Sequence, residues 1–476
     1  MRPLRPGSVS GRFVDTREGF ARTRAIGTAG PGIVSLLQLG ADSADYASDV
    51  PKKEEDTAMT PLLFALLLEV LGGPQVDLSG GWAVTVVDYG RPITRRMVLK
   101  HEGDRLTGTI GGQPLEGTAA AGEISFKVGS RVVRAKLADG RLTGQVTQAG
   151  RMLAWSAVRT PRRPDKPRTH VFEPTKFELY FTSRVPPVLH IAPGDTVKTW
   201  SVGADGVDRN GESRSEGGNP QTGPFYVEGA MPGDTLVVRL NRLRTNRNWA
   251  VSGSRVMPNA VEPLHLPNLK WAESFNSRWT VDAAAGIARL EEPTDALSGF
   301  SVPLKPMLGC VAVAPAQEWA IRTTDSGRFG GNMDYNQFVE GTTIYLPVNH
   351  PGALLFVGDG HAAQGDGELT GDALETSMDI ELTVDLIEGK SFGHPLAENA
   401  EHLISIGIAG GLDQALQMAT SGMLRWLERD YNLTGSEAAI VVGFAMRFDV
   451  VDLVGAQVSI AAKLPKTALA KLRKAS

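Results

Sequence analysis

Along most of the chain, apolar and polar positions alternate in short runs bounded by glycine, proline and Asp-Gly pairs, the signature of strands and tight turns. Residues 80–87, 95–100, 105–110 and 141–146 read as strands of one small antiparallel β module. The Arg-Leu-Thr-Gly words at 105–108 and 141–144 repeat within it. Trp82 opens the module and Trp155 closes it, predicting an up-and-down sheet or barrel. Strand signals resume at 176–181, 190–200, 235–238, 341–348, 353–357 and 381–387. Only near the C-terminus does the period lengthen. Leu412, Ala415, Leu416, Met418, Ala419, Met423 and Leu427 mark one helix over 411–428, and a second spans 436–446, with a strand and extended tail over 450–465. The predicted fold is mainly β (α+β). It comprises duplicated β-sandwich or barrel-like units with a few C-terminal helices, preceded by the small antiparallel module.

Composition sharpens this picture. The chain has 476 residues, more than one domain usually holds, and its 54 glycines and 29 prolines favour turns over long helices. The expected domains are 1–75, a leader; 76–160, the accessory β module; 161–172, a proline-rich basic linker; and 173–476, the main domain. Within the leader, Met59 stands just before the apolar stretch 61–71, which reads as a signal segment near residues 59–73 behind an upstream start and points to export. No stretch is long enough to span a bilayer stably. With 49 basic and 53 acidic residues and a net charge of -4, no basic patch supports nucleic-acid binding. The single Cys310 rules out an intrachain disulfide and reads as a small core residue.

The densest chemistry lies in the run Gly358-Asp359-Gly360-His361-Ala362-Ala363-Gln364-Gly365-Asp366-Gly367-Glu368. In extended backbone Asp359 and His361 share one face, as do Asp366 and Glu368. Carboxylate and imidazole donors this close suit a divalent metal such as zinc, with calcium the alternative. The plain alternative is a pair of Asp-Gly turns. The words Gly217-Gly218-Asn219 and Gly330-Gly331-Asn332 echo one another. A facing pair of β units would bring Glu228 and Asp334 close to the Gly358 run. Glu228 follows Phe225-Tyr226-Val227, where apolar neighbours raise a carboxylate's pKa toward that of a general base. No Gly-X-Ser-X-Gly elbow supports a serine mechanism.

The segments 219–229, Pro232-Gly233-Asp234, 330–334 and 358–368 resemble the acetamidase/formamidase family in wording and order, and the resemblance extends over roughly 176–465. Residues 246–303 are the least family-like and read as a rim of the pocket or a hairpin on a partner subunit. The resemblance implies hydrolysis of a small linear amide to carboxylate and ammonia by a metal-activated water. It implies Asp205, Asp334, Asp359 and His361 as metal ligands and Glu228, Asp366 and Glu368 as the groups that move protons. Asn219, Gly331, Asn332, Gly360 and Gln364 are the candidate pocket residues, and a homo-oligomer, a dimer, is expected. Two other readings stay open: a metal-stabilised β binding protein without catalysis, and a lactam-opening hydrolase.

Overall fold

The computed structural model describes residues 76–120 and 122–474. The leader, with its signal-like segment at 59–73, lies outside the described residues. The protein is built mainly from antiparallel strands, with few helices.

Eight strands from Gly80–Asp88 to Arg151–Arg159 follow one another around a closed barrel. Their alternation places Trp82, Met97, Leu106, Leu115, Phe126 and Leu142 inside, all almost fully buried. The barrel docks on the main domain through the outward-facing Arg96. Its guanidinium donates to both oxygens of Asp234 (3.2 and 2.6 Å) and to the Gly229 carbonyl (2.7 Å). Asp234 holds its own turn by accepting from Met231 N, and it is also the anchor for the barrel.

The main domain has two large sheets, one of eleven strands and one of nine, that share a single apolar core. Leu236, Val238 and Leu382 of the nine-stranded sheet meet Val311, Phe356 and Val357 of the other. In the eleven-stranded sheet the strand Leu355–His361 is central. Met307–Val313 and Gln221–Val227 pair with it, as does the short Glu375–Thr376. All seven of its residues are buried, so it reads as a continuous apolar run until the chemistry at its C-terminal end. The stretch 246–303 supplies Trp249–Val251, Arg278–Asp282, Ile287–Leu290 and Ser301–Pro303, a meander that extends the sheet beyond Glu375–Thr376.

Near the C-terminus the helical period is realised as Leu412–Tyr431 and Gly435–Ala445. The second helix opens with a capping box, Thr434 accepting from Glu437 N while Glu437 accepts from Thr434 N. Residues 450–465 differ from the strand and extended tail expected. They split into the antiparallel pair Arg447–Asp452 and Val458–Pro465, because Asp452 turns the chain by accepting from Val454 N.

The long helix meets its sheet so closely that Gly422 has no room for a methyl group. A Cβ there would lie 2.0 Å from His394 Nε2 and 2.2 Å from Ser405 Oγ. Gly422→Ala should therefore lower stability by roughly 2 kcal/mol or more, although alanine favours helices by about 1 kcal/mol; thermal unfolding measures it. His394 itself is buried, and desolvation, with Arg425 nearby, lowers its pKa from 6.5 to about 4. A group whose pKa is depressed on folding loses its contribution as pH falls. The stability advantage of wild type over His394→Gln should thus shrink between about pH 6.5 and 4, by roughly 3 kcal/mol at ~1.4 kcal/mol per pH unit. Denaturant unfolding of both proteins across that range checks the sign.

Candidate active site

At the end of the central strand, one imidazole is ringed by carboxyl groups. His361 Nε2 lies 3.1 Å from Glu375 Oε1, 3.3 Å from Asp359 Oδ1 and 3.9 Å from Asp334 Oδ1. Glu375 faces His361 because its strand pairs with the central one at that position. Glu368 and Asp452 complete the cluster, and the bridge between Gly367 and Asp452 brings the C-terminal strand pair to it. All six side chains are buried.

Local backbone makes this possible at a cost. Asp334, Asp359 and Glu368 occupy left-handed conformations (φ 43°, 60° and 49°), as does Asn219 (φ 57°). Such angles persist only where the surroundings enforce them. Gly309 supplies the space: a Cβ there would lie 2.3 Å from Asp334 Oδ1 and 2.4 Å from Asp359 Oδ2.

Amides hold the acids in place. Asn219 Nδ2 donates to Asn332 Oδ1 (2.7 Å) and to Asp359 Oδ2 (3.2 Å), and Asn332 Nδ2 donates to Asp334 Oδ2. The two echoed Gly-Gly-Asn words thus meet through their asparagines. Gln364 Nε2 donates to the Asp334 carbonyl, while its Oε1 accepts from His361 Nδ1 at 2.8 Å. With Nδ1 carrying the proton, Nε2 is the nitrogen turned toward the acids.

The charges are unbalanced. Among the described residues no lysine or arginine pairs with Asp334, Asp359, Glu368, Glu375 or Asp452. Burial pushes Glu375 up to about 7 and Asp452 to about 6. Burial also raises Asp334 well above the ordinary range, with the Glu368 and Asp359 charges adding to it. Glu368 is raised by burial too, although His361 opposes the shift. For His361, burial alone favours the neutral ring, but the Glu375 and Asp359 charges outweigh it and hold its pKa well above 6.5.

A divalent cation fits this donor set. Asp334 Oδ1, Asp359 Oδ1 and Glu375 Oε2 are buried without a hydrogen-bond partner. One donor atom from each of Asp334, Asp359 and His361 lies within 4.8 Å of the others, and the same holds for His361, Glu368 and Glu375. The His361 Nδ1 bond to Gln364 is the kind of orienting contact that a metal-binding histidine uses.

Other residues singled out from the sequence lie elsewhere or act differently. Asp205 is half-buried, forms a turn by accepting from Val207 N and faces Arg247 at 3.8 Å, outside the cluster. Glu228 does not face the Gly358 run. The Gln221–Val227 strand runs antiparallel to the central one, so Gln221 lies beside Gly358 and Glu228 at the far end, roughly 20 Å away at ~3.3 Å per residue. There it pairs with His190 Nδ1 at 2.7 Å, next to the Gly229 carbonyl bound by Arg96. Asp366 is exposed and accepts from Asn336. Gly331 and Gly360 are packed backbone positions. A Cβ would meet the Asp325 carbonyl at Gly331 and the Met378 side chain at Gly360. Cys310 donates to Asn332 Oδ1, and burial pushes its thiol pKa well up, so it is no ready nucleophile. Glu375 and Asp452 escaped sequence reading. Glu375 returns after a loop too long to set register, and Asp452 arrives from the far C-terminus.

The comparisons with known proteins bear out the resemblance read in the sequence. Residues 272–401 match the model of the Acetamidase/Formamidase family, a span that begins inside the stretch expected to be least family-like. The acetamidase of Mycolicibacterium smegmatis is 29% identical over 217 residues, 35% of this chain and 53% of that one. The formamidase of Methylophilus methylotrophus is 24% identical over 254 residues, 43% and 62% of the two chains. The chain thus spans little more than half the length of these relatives. Two crystal structures share the fold. The acetamidase of Yersinia enterocolitica is 26% identical with a TM-score of 0.55, over 64% of this chain and 94% of that one. The acetamidase from Bacillus halodurans is 26% identical with a TM-score of 0.53, over 64% and 99%.

Because it relieves carboxylate repulsion in the cluster, Asp359→Asn should stabilise the chelator-treated protein by roughly 1–2 kcal/mol. Asparagine tolerates the left-handed backbone, and its oxygen still accepts from Asn219. With zinc added, the same substitution should instead cost stability. Calorimetric unfolding with and without zinc reads both signs.

Proposed function

We propose that the chain hydrolyses small linear amides, of the formamide and acetamide kind, to a carboxylate and ammonia. The reacting centre is the cluster of Asp334, Asp359, His361, Glu368 and Glu375. The observation that carries this reading is the set of buried carboxylate oxygens without hydrogen-bond partners, gathered around His361 Nε2. The similarity to proteins named acetamidase and formamidase supports it.

Asp334, Asp359 and His361 are the residues that would hold a divalent metal, zinc in this reading. Bound there, the metal would supply Lewis-acid polarisation and a water that deprotonates near neutral pH. The chain's own groups then carry the protons. Hydrolysis forms one C–O bond from water and breaks the C–N bond, with the water proton passing to the departing nitrogen. Glu375, pushed up to about 7 by burial, can accept that proton and return it near neutral pH. Gln364 keeps His361 in one orientation, and Asn219 and Asn332 hold the acids apart.

Ammonia release from formamide, acetamide and propionamide tests the proposal. Asp359→Asn and His361→Gln should each lower turnover at least a hundredfold without loss of fold. Glu375→Gln should lower kcat at least a hundredfold with KM nearly kept. Glu228→Gln should stay within about twofold of wild type. Wild-type rates in the first three variants, or an inactive Glu228→Gln that remains folded, would overturn the assignment.

A further inference from the structure

The barrel is filled at only one end. Around Trp82, Leu106 and Leu142 its interior is packed solid, and Trp82 Nε1 is satisfied by the Leu78 carbonyl at 2.9 Å. Toward the turns at 89–90, 111–112, 129–130 and 149–150 the interior instead holds a cavity of about 220 Å³, walled by Val84, Val86, Ile110, Val146, Leu153 and Trp155. That is room for roughly six to eight carbon-sized groups at ~30 Å³ each.

Two features show that this cavity is not an ordinary packing gap. Trp155 is 3% exposed, and its Nε1 is shielded from solvent with no hydrogen-bond partner, an arrangement that costs about 1–3 kcal/mol. At the mouth, Arg95 and Arg131 stand at inward-facing positions of their strands, in phase with Met97 and Leu99 and with Val133 and Ala135. Arg151 on the same rim is paired with Asp88 at 2.6 Å. Arg95 and Arg131 have no carboxylate partner among the described residues. An apolar cup thus presents one buried donor inside and two unneutralised guanidiniums at its lip. An eight-stranded barrel is wide enough to take one small ligand.

We propose that this end of the barrel binds a medium-chain carboxylic acid bearing one further oxygen along its chain. Arg95 and Arg131 hold the carboxylate, the apolar wall takes the chain, and Trp155 Nε1 donates to the second oxygen. The site is separate from the carboxylate cluster and does not depend on its chemistry.

Calorimetric titration of the full chain with octanoate, octanol and a set of hydroxyoctanoate isomers tests the proposal. The expected result is saturable binding of one acid per chain, with one hydroxyoctanoate isomer binding at least fivefold tighter than octanoate. In Arg95→Gln/Arg131→Gln, a pair of rim changes outside the packed core, all the acids should weaken tenfold or more, toward the affinity of octanol. In Trp155→Phe the preference for the hydroxylated isomer should disappear. The proposal is overturned by absence of saturable binding to wild type, by undiminished affinity in the arginine variant, or by a hydroxyl preference that survives Trp155→Phe.

Discussion

The main domain is organised around buried carboxyl groups that outnumber their one counter-charge, the His361 imidazole. Five carboxyl groups surround a single imidazole at the end of a fully buried strand, and no lysine or arginine neutralises them among the described residues. Such a group can exist only if some of its acids stay protonated or a cation joins them. Much of the surrounding structure reads as the means of holding that arrangement. Three acids sit on left-handed backbone, Gly309 leaves the space between two of them, and three side-chain amides tie them in place.

The sheet then explains why these groups meet. The central strand carries Asp359 and His361 on its own end, receives Glu375 from one neighbour and takes Asn219 from the approach to another. The meander from 246–303 secures the Glu375 side, where Val251 pairs with Glu375 and the buried Arg247 donates to the Glu375 carbonyl at 3.2 Å. The barrel is fixed away from the cluster through Arg96, which holds the Gly229 carbonyl just past the Gln221–Val227 strand and Asp234 just before a strand of the nine-stranded sheet. The two candidate ligand sites therefore stand on different units and draw on different physics, one a charge cluster and the other an apolar cup with a charged lip.

Much of this was legible in the residues themselves. The repeated Arg-Leu-Thr-Gly words and two tryptophans announced the barrel, and the change of period marked the two helices. Asp359 and His361 do meet, as their two-residue spacing suggested, although Asp359 stands on left-handed rather than regular extended backbone. Echoed Gly-Gly-Asn words foretold that two β units would meet, and their asparagines do. What failed was direction. Glu228 was expected beside the Gly358 run, but pairing sense decides which end of a strand reaches the site, and the local pattern carries no sign of it. Asp205, a ligand by the resemblance alone, sits in an ordinary turn. Glu375 and Asp452 are single acids in unremarkable surroundings, recruited by long-range pairing alone.

In the proposed function the buried acids and His361 form one metal-dependent reacting centre. Anomalous diffraction at the zinc edge, from crystals of the zinc-loaded protein, tests it most directly. A strong peak bounded by Asp334, Asp359 and His361 is expected. A fully loaded crystal with no density among these three residues would contradict it.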